Sequence, residues 1–154
     1  MVDLPAVPSP RGNYAAAVIH AGTVTTAGMT PRREGTLVWK GAVGDDIALD
    51  EAVGAAALAA SNALAAAAQA AGGIDCIAQL VSLTVYVACA AGFTRLSAVA
   101  DGASDALAAA LGATGRAAAA RAAIGVRSLP DGAPVEVQLI AAITPGRSPE
   151  KGAE

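Results

Sequence analysis

Two hydrophobic periods alternate along this chain. Proline at positions 5, 8 and 10, followed by Gly12, keeps the first dozen residues extended or irregular. From Tyr14 the pattern becomes strand-like: Ala15 to His20 and Thr23 to Ala27 flank Ala21-Gly22, a glycine-containing turn that predicts a β-hairpin, and Gly28 and Pro31 end its second strand. A loop carrying Arg32, Arg33 and Glu34 leads to a short apolar piece, Thr36 to Trp39. Asp45 or Asp46 can cap the helix that follows, and Asp50 and Glu51 put negative charge at its positive end. Val53, Ala57, Ala60, Leu64, Ala67 and Ala71 then recur at three- and four-residue steps until Gly72-Gly73.

From Ile77 to Val87 the period returns to two, with Val81, Leu83, Val85 and Val87 on one face and Ser82, Thr84 and Tyr86 on the other. Leu96, Val99, Ala103, Leu107 and Ala110 predict a second helix up to Gly112, with a weak point at Gly102. Arg121 to Arg127 and Val135 to Ile143 alternate again, and the turn-rich Leu129 to Pro134 between them predicts a closing hairpin. The order ββ, α, β, α, ββ, with both helices on one face of the sheet, is α+β. One domain, residues 1–144, is expected, with a disordered polar tail over 145–154.

Composition narrows the picture. Hydrophobic residues make up 55% and aromatics 3%, so alanine, valine and leucine carry the core and the elements must pack closely. Ten basic and 13 acidic residues give a net charge of -3 with no basic stripe, which argues against nucleic acid or an anionic membrane as partner. Ala52 to Gly73 is uncharged and about as long as a membrane span, but it is mostly alanine and is interrupted by Gly54, Ser61, Asn62 and Gln69, so it reads as a buried helix of a soluble protein. Cys76 and Cys89 form no CxxC pattern and His20 is the only histidine, so neither a metal site nor any other cofactor is expected. Met1 to Pro10 has no export signal pattern; a cytoplasmic protein with reduced thiols is the expectation.

If Ile124, Val126, Val135, Val137 and Leu139 face the core, the closing hairpin pairs Ile124 with Val137 and puts Arg121 and Glu136 together on the other face. Glu136 then opposes Gly125, about 13 Å along the strand from Arg121, leaving a gap of small-molecule size. A guanidinium can hold a carboxylate in a two-donor fork, and a carboxylate can deprotonate a water. Hydrolysis of a small acid would suit such a pair, although an arginine and a glutamate on a polar face are, taken alone, more often a solvated surface.

Several segments resemble the Rid (YjgF, perchloric-acid-soluble protein) family. They are Gly12-Asn13-Tyr14 with Ala17-Val18, Gly22, Thr26-Ala27-Gly28-Met29-Thr30-Pro31, Asn62-Ala63-Leu64, Thr84-Val85-Tyr86-Val87 with Phe93, and above all Arg121, Leu129-Pro130 and Val135-Glu136-Val137. The likeness runs from about Pro5 to Ile143. It implies a chorismate-mutase-like fold, a homotrimer around a central barrel, and small-molecule clefts between subunits. It further implies hydrolysis of reactive enamines and imines to 2-oxo acids and ammonia. Arg121 would bind the substrate carboxylate, Glu136 would position the water as the catalytic residue, and Tyr14 would line the pocket.

The chain departs from the deaminase pattern at Ala27, Met29, Ala91 and Ala122-Ala123, and the segment Asp101 to Asp105 differs from the usual second helix, which marks a divergent subgroup. Binding of a small carboxylate without turnover is therefore the second reading. Ribonuclease activity is the third, for want of a basic groove and a histidine pair. Elsewhere, Cys89 and His20 read as structural or surface residues and Trp39 as cover for a core edge. Asn62, a poor helix former in mid-helix, is expected to make a buried polar contact to the neighbouring loop.

Overall fold

The computed structural model describes residues 3–112 and 115–144. Two short strands, β1 (Ala17–His20) and β2 (Thr23–Thr26), form the expected hairpin, and its turn residues Ala21 and Gly22 take φ of 48° and 75°. Left-handed φ at both turn positions matches the twist of the flanking strands. Arg32 and Arg33, expected in a loop, instead form a two-residue strand β3 (Arg32–Arg33) paired with β4 (Thr36–Leu37) across Glu34-Gly35.

The first helix, α1 (Leu49–Ala71), starts later than Asp45 or Asp46 and is capped by another device: Glu51 reaches back and accepts the Ala48 amide N–H at 2.9 Å. It stops at Gly72-Gly73, where Gly72 has φ 96° and its N–H and that of Gly73 return to the last turn. Long and apolar enough by composition to span a membrane, α1 lies on the sheet with twelve buried residues, ten of them alanines. The remaining elements are β5 (Ile77–Ala88), α2 (Leu96–Leu111), β6 (Ala120–Val126) and β7 (Val135–Ile143).

Five strands form one sheet in the order β1-β2-β7-β5-β6, antiparallel except for the parallel pair β5–β6. This corrects the closing hairpin. β5, α2 and β6 form a crossover unit, which requires a parallel pair, and the connection from Arg127 to Pro134 passes the end of β5 so that β7 enters on its other side. Cys89 donates to the Val126 carbonyl and Ala88 to that of Pro134, closing that end.

Val24, Leu83, Val85, Val87, Val135, Val137 and Leu139 fill the face under the helices. Val81, expected with them, is 45% exposed because a bulge between Leu80 and Ser82 shifts the alternation and gives its place to Leu80. Ile124 is also exposed, not core. It shares a row with Tyr86 and Glu136 on the open face, together with Val18 and Ile140 in the row Val18–Thr25–Ile140–Ser82.

Gly102 does not break α2. It is buried where the two helices touch, and a Cβ there would lie 2.9 Å from Val53 Cγ1 and 3.0 Å from the Val53 backbone carbon. Gly102→Ala is therefore expected to destabilise the fold by about 1–3 kcal/mol despite alanine's better helix propensity, because the backbone of α1 must move. Urea unfolding checks this; equal or greater stability would mean that the helices are not held this close. The tail expected after Pro145 lies outside the described residues.

Candidate functional site

Glu136, near the start of β7, points to the open face of the sheet opposite Tyr86. The chain leaving β2 returns to β7 at Met29, whose N–H and C=O both pair with Val137 at 2.8 Å. That bridge lays Gly28 against the neighbouring Glu136. A Cβ on Gly28 would fall 2.7 Å from the Glu136 carboxyl carbon, so only glycine leaves room for the carboxylate to lie over the strand end. Burial pushes the Glu136 carboxyl above the ordinary glutamate value, since the charged form loses solvation there. A carboxyl raised in this way suits proton transfer nearer neutral pH.

The Glu136 carboxylate borders a cavity of about 320 Å³ lined by Arg11, Tyr14, Gly28, Thr30, Arg32, Pro130, Asp131 and Glu136. Tyr14 is half exposed, and its hydroxyl accepts the Arg11 amide N–H at 3.1 Å. Arg32 is nearly buried: Nη1 donates to the Gly35 carbonyl at 3.0 Å and Nη2 pairs with Asp131 Oδ2. Arg11 Nε lies 3.4 Å from the same carboxylate oxygen. Asn62 makes the contact expected of it, donating to the Thr30 and Arg32 carbonyls at 3.1 and 2.9 Å, which pins the loop that carries Arg32. Among the described residues no three His, Cys, Asp or Glu side chains converge to hold a metal ion.

The structure thus brings Tyr14 and Glu136 together and leaves Arg121 apart. In β6, Arg121 pairs with Leu83 and faces the helices, whereas Glu136 shares its row with Tyr86 and Ile124 on the other face. The expected shared face of Arg121 and Glu136 depended on a hairpin that does not form. The Arg121 guanidinium is engaged on α2, with Nη1 donating to Asp101 Oδ1 at 2.8 Å and Ser104 Oγ at 2.9 Å and Nη2 to Ser97 Oγ at 2.8 Å. Sequence reasoning passed over Arg32 and Asp131, although the polar Asn62 in the helix and the Pro-Asp-Gly turn at 130–132 were the signals that lead to them.

Known proteins can be set beside this geometry. A sequence model of the family described as "YjgF/chorismate mutase-like, putative endoribonuclease" matches residues 1–138. The chain is 32% identical over 139 residues to protein TCP17 of Trypanosoma cruzi, covering 90% of this chain and 86% of that one. The structure of Atu1372 from Agrobacterium tumefaciens, described as of unknown function, aligns with a TM-score of 0.80 at 35% identity over 86% of this chain and 83% of its own. A protein of Shewanella oneidensis, described as a "putative endoribonuclease", aligns with a TM-score of 0.86 at 28% identity over 92% of each chain. The α+β fold and the sequence match over residues 1–138 agree: the chain belongs to the YjgF/chorismate mutase-like family.

Proposed function

We propose that the protein hydrolyses small carboxylate-bearing imines or enamines in clefts of a homotrimer, releasing a 2-oxo acid and ammonia. The observation that carries this reading is Glu136: a carboxylate with a burial-raised pKa, seated over Gly28 on a small cavity that Tyr14 and two arginines share. Such a group can take a proton from water as the water adds to the imine carbon, and later return it to the leaving nitrogen. Two sets of arginines could take the substrate carboxylate. Arg121 has that role in the resemblance and would have to leave Asp101 to serve it; Arg11 and Arg32 line the cavity itself.

Turnover of imines generated in place from amino acids tests the reading, with ammonia and 2-oxo acid appearing faster than in the uncatalysed control. A second reading, carboxylate binding without turnover, is favoured by the apolar Ala27 and Met29 beside Gly28, where Met29 is buried. Binding of a 2-oxo acid with no ammonia release would establish it. The ribonuclease description of similar proteins gains no support from the net charge of -3, and RNA left intact by the protein would set it aside.

Association follows from the same surface. The open face carries Val18, Ile140, Tyr86 and Ile124, with Val18 and Ile124 exposed at 57% and 40%, and covering that face is the natural gain from assembly. Light scattering on dilute protein is expected to give three times the monomer mass. A clean monomer would remove the shared-cleft part of the proposal. The reading places the protein in the cytoplasm, where Cys76 and Cys89 stay as free thiols.

A further inference from the structure

We infer that Ser97 and Ser104 position the Arg121 guanidinium for the ligand carboxylate, and that Asp101 is the internal acid the ligand displaces from it. The inference rests on the reading under which Arg121 anchors the substrate carboxylate in a cleft between subunits. Arg121 and Glu136 lie on opposite faces of one chain's sheet, so a cleft that holds both is built by two subunits.

The three α2 residues stand at four- and three-residue steps, which puts them on one face of the helix. Asp101 and Ser104 belong to the segment in which the chain departs from the usual second helix of the family. β6 carries Arg121 to the side of the sheet that α2 covers, and its side chain ends on this face, 22% exposed. Of its five N–H donors three are engaged: Nη1 donates to Asp101 Oδ1 at 2.8 Å and to Ser104 Oγ at 2.9 Å, and Nη2 to Ser97 Oγ at 2.8 Å. The Nε–H and the second N–H of Nη2 have no acceptor among the described residues. A guanidinium tied at both terminal nitrogens has given up most of its rotamer freedom already, so little more is lost when a ligand binds.

Asp101 differs from the two serines in what it offers. A serine hydroxyl leaves the positive charge of Arg121 intact, whereas the aspartate offsets it and fills a donor as a ligand acid would. It does so through Oδ1 and is 63% exposed, and an ion pair of that exposure is weak. A small 2-oxo or 2-imino acid is not tethered to a helix and can turn both oxygens to the guanidinium, engaging two donors where Asp101 engages one. The serines stay bound and hold the guanidinium in place while the acids exchange.

Calorimetric titration of the full-length protein with pyruvate tests the assignment through effects of opposite sign. Asp101→Asn keeps an acceptor and removes the charge, so pyruvate should bind about twofold to fivefold more tightly, the size of an exposed ion pair. Ser104→Ala should weaken binding about threefold to tenfold, and Ser104→Thr, which restores the hydroxyl, should recover most of it. If these residues only held the helix to the sheet, their variants would lower the melting temperature and none would tighten binding.

An Asp101→Asn protein that binds pyruvate no more tightly than wild type, or a Ser104→Ala protein that binds it as well, would overturn the inference. Arg121→Lys separates that result from failure of the anchor reading, because loss of the planar fork should weaken pyruvate binding whichever way α2 acts. Arg121→Lys with wild-type affinity, or wild type that does not bind pyruvate, would overturn both.

Discussion

Glu136→Gln is expected to keep binding of small 2-oxo acids while turnover falls by about a hundredfold to ten-thousandfold, the usual contribution of a general base. Glutamine preserves size and one acceptor but cannot take a proton from water, so the loss should fall on the transition state and not on the ground state. The same variant makes a second prediction by linkage. Burial raises the Glu136 carboxyl in the folded protein, so its neutral form is favoured by folding and its ionised form is penalised. The penalty is zero below the unfolded pKa, grows as pH rises toward the higher folded value, and is constant above it. Glu136→Gln should therefore be more stable than wild type at neutral pH, with the gain disappearing in acid. Thermal melts of both proteins at several pH values check the sign; a gain that grows in acid would mean that the carboxylate is stabilised by a cation and not stranded by burial.

Gly28→Ala is the other large effect. The added Cβ would occupy space now filled by the Glu136 carboxyl group, 2.7 Å from its carboxyl carbon. The obstacle is the flexible end of a side chain, so Glu136 swings aside and the fold loses little. Activity depends on where the carboxylate sits, and a displacement of the order of 1 Å costs about a hundredfold. The expected result is a fall in kcat of about that size with a melting temperature close to wild type. Comparable losses in both, or in neither, would show that Gly28 does not seat the base.

What the sequence disclosed and what it hid follow from the same physics. Short-range signals transferred well: Ala21-Gly22 made the hairpin, Gly72-Gly73 and Gly112 ended the helices, and Asn62 found its loop. Strand alternation states which residues share a face but not which strand lies alongside, so nothing local distinguished a closing hairpin from a crossover that sets β6 parallel to β5. The choice of face in β6 failed for a related reason. Ile124 was expected in the core as the hairpin partner of Val137, but the parallel register of β6 on β5 sets Ile124 beside Tyr86 on the open face and Arg121, Ala123 and Gly125 beside Leu83, Val85 and Val87 on the helix side. A Cβ on Gly125 would lie 3.3 Å from Cys89 Sγ and 3.4 Å from Leu96, so little room is left at that position.

Turning β6 over carried Arg121 to the helix side and broke the expected pairing with Glu136. Tyr14 and Glu136 were legible through the family resemblance. The Arg32–Asp131 contact joins positions 99 apart and left no periodic trace.

Whether Glu136 is the base of a hydrolytic site is decided by the pH dependence of ammonia release from freshly generated imines, corrected for the uncatalysed rate. Wild type should show kcat/KM falling on the acid side with a midpoint above the ordinary glutamate range, and Glu136→Gln should lose both the rate and that acid limb. Release no faster than the uncatalysed control at every pH, or an acid limb that persists unchanged in Glu136→Gln, would show that Glu136 is not the base.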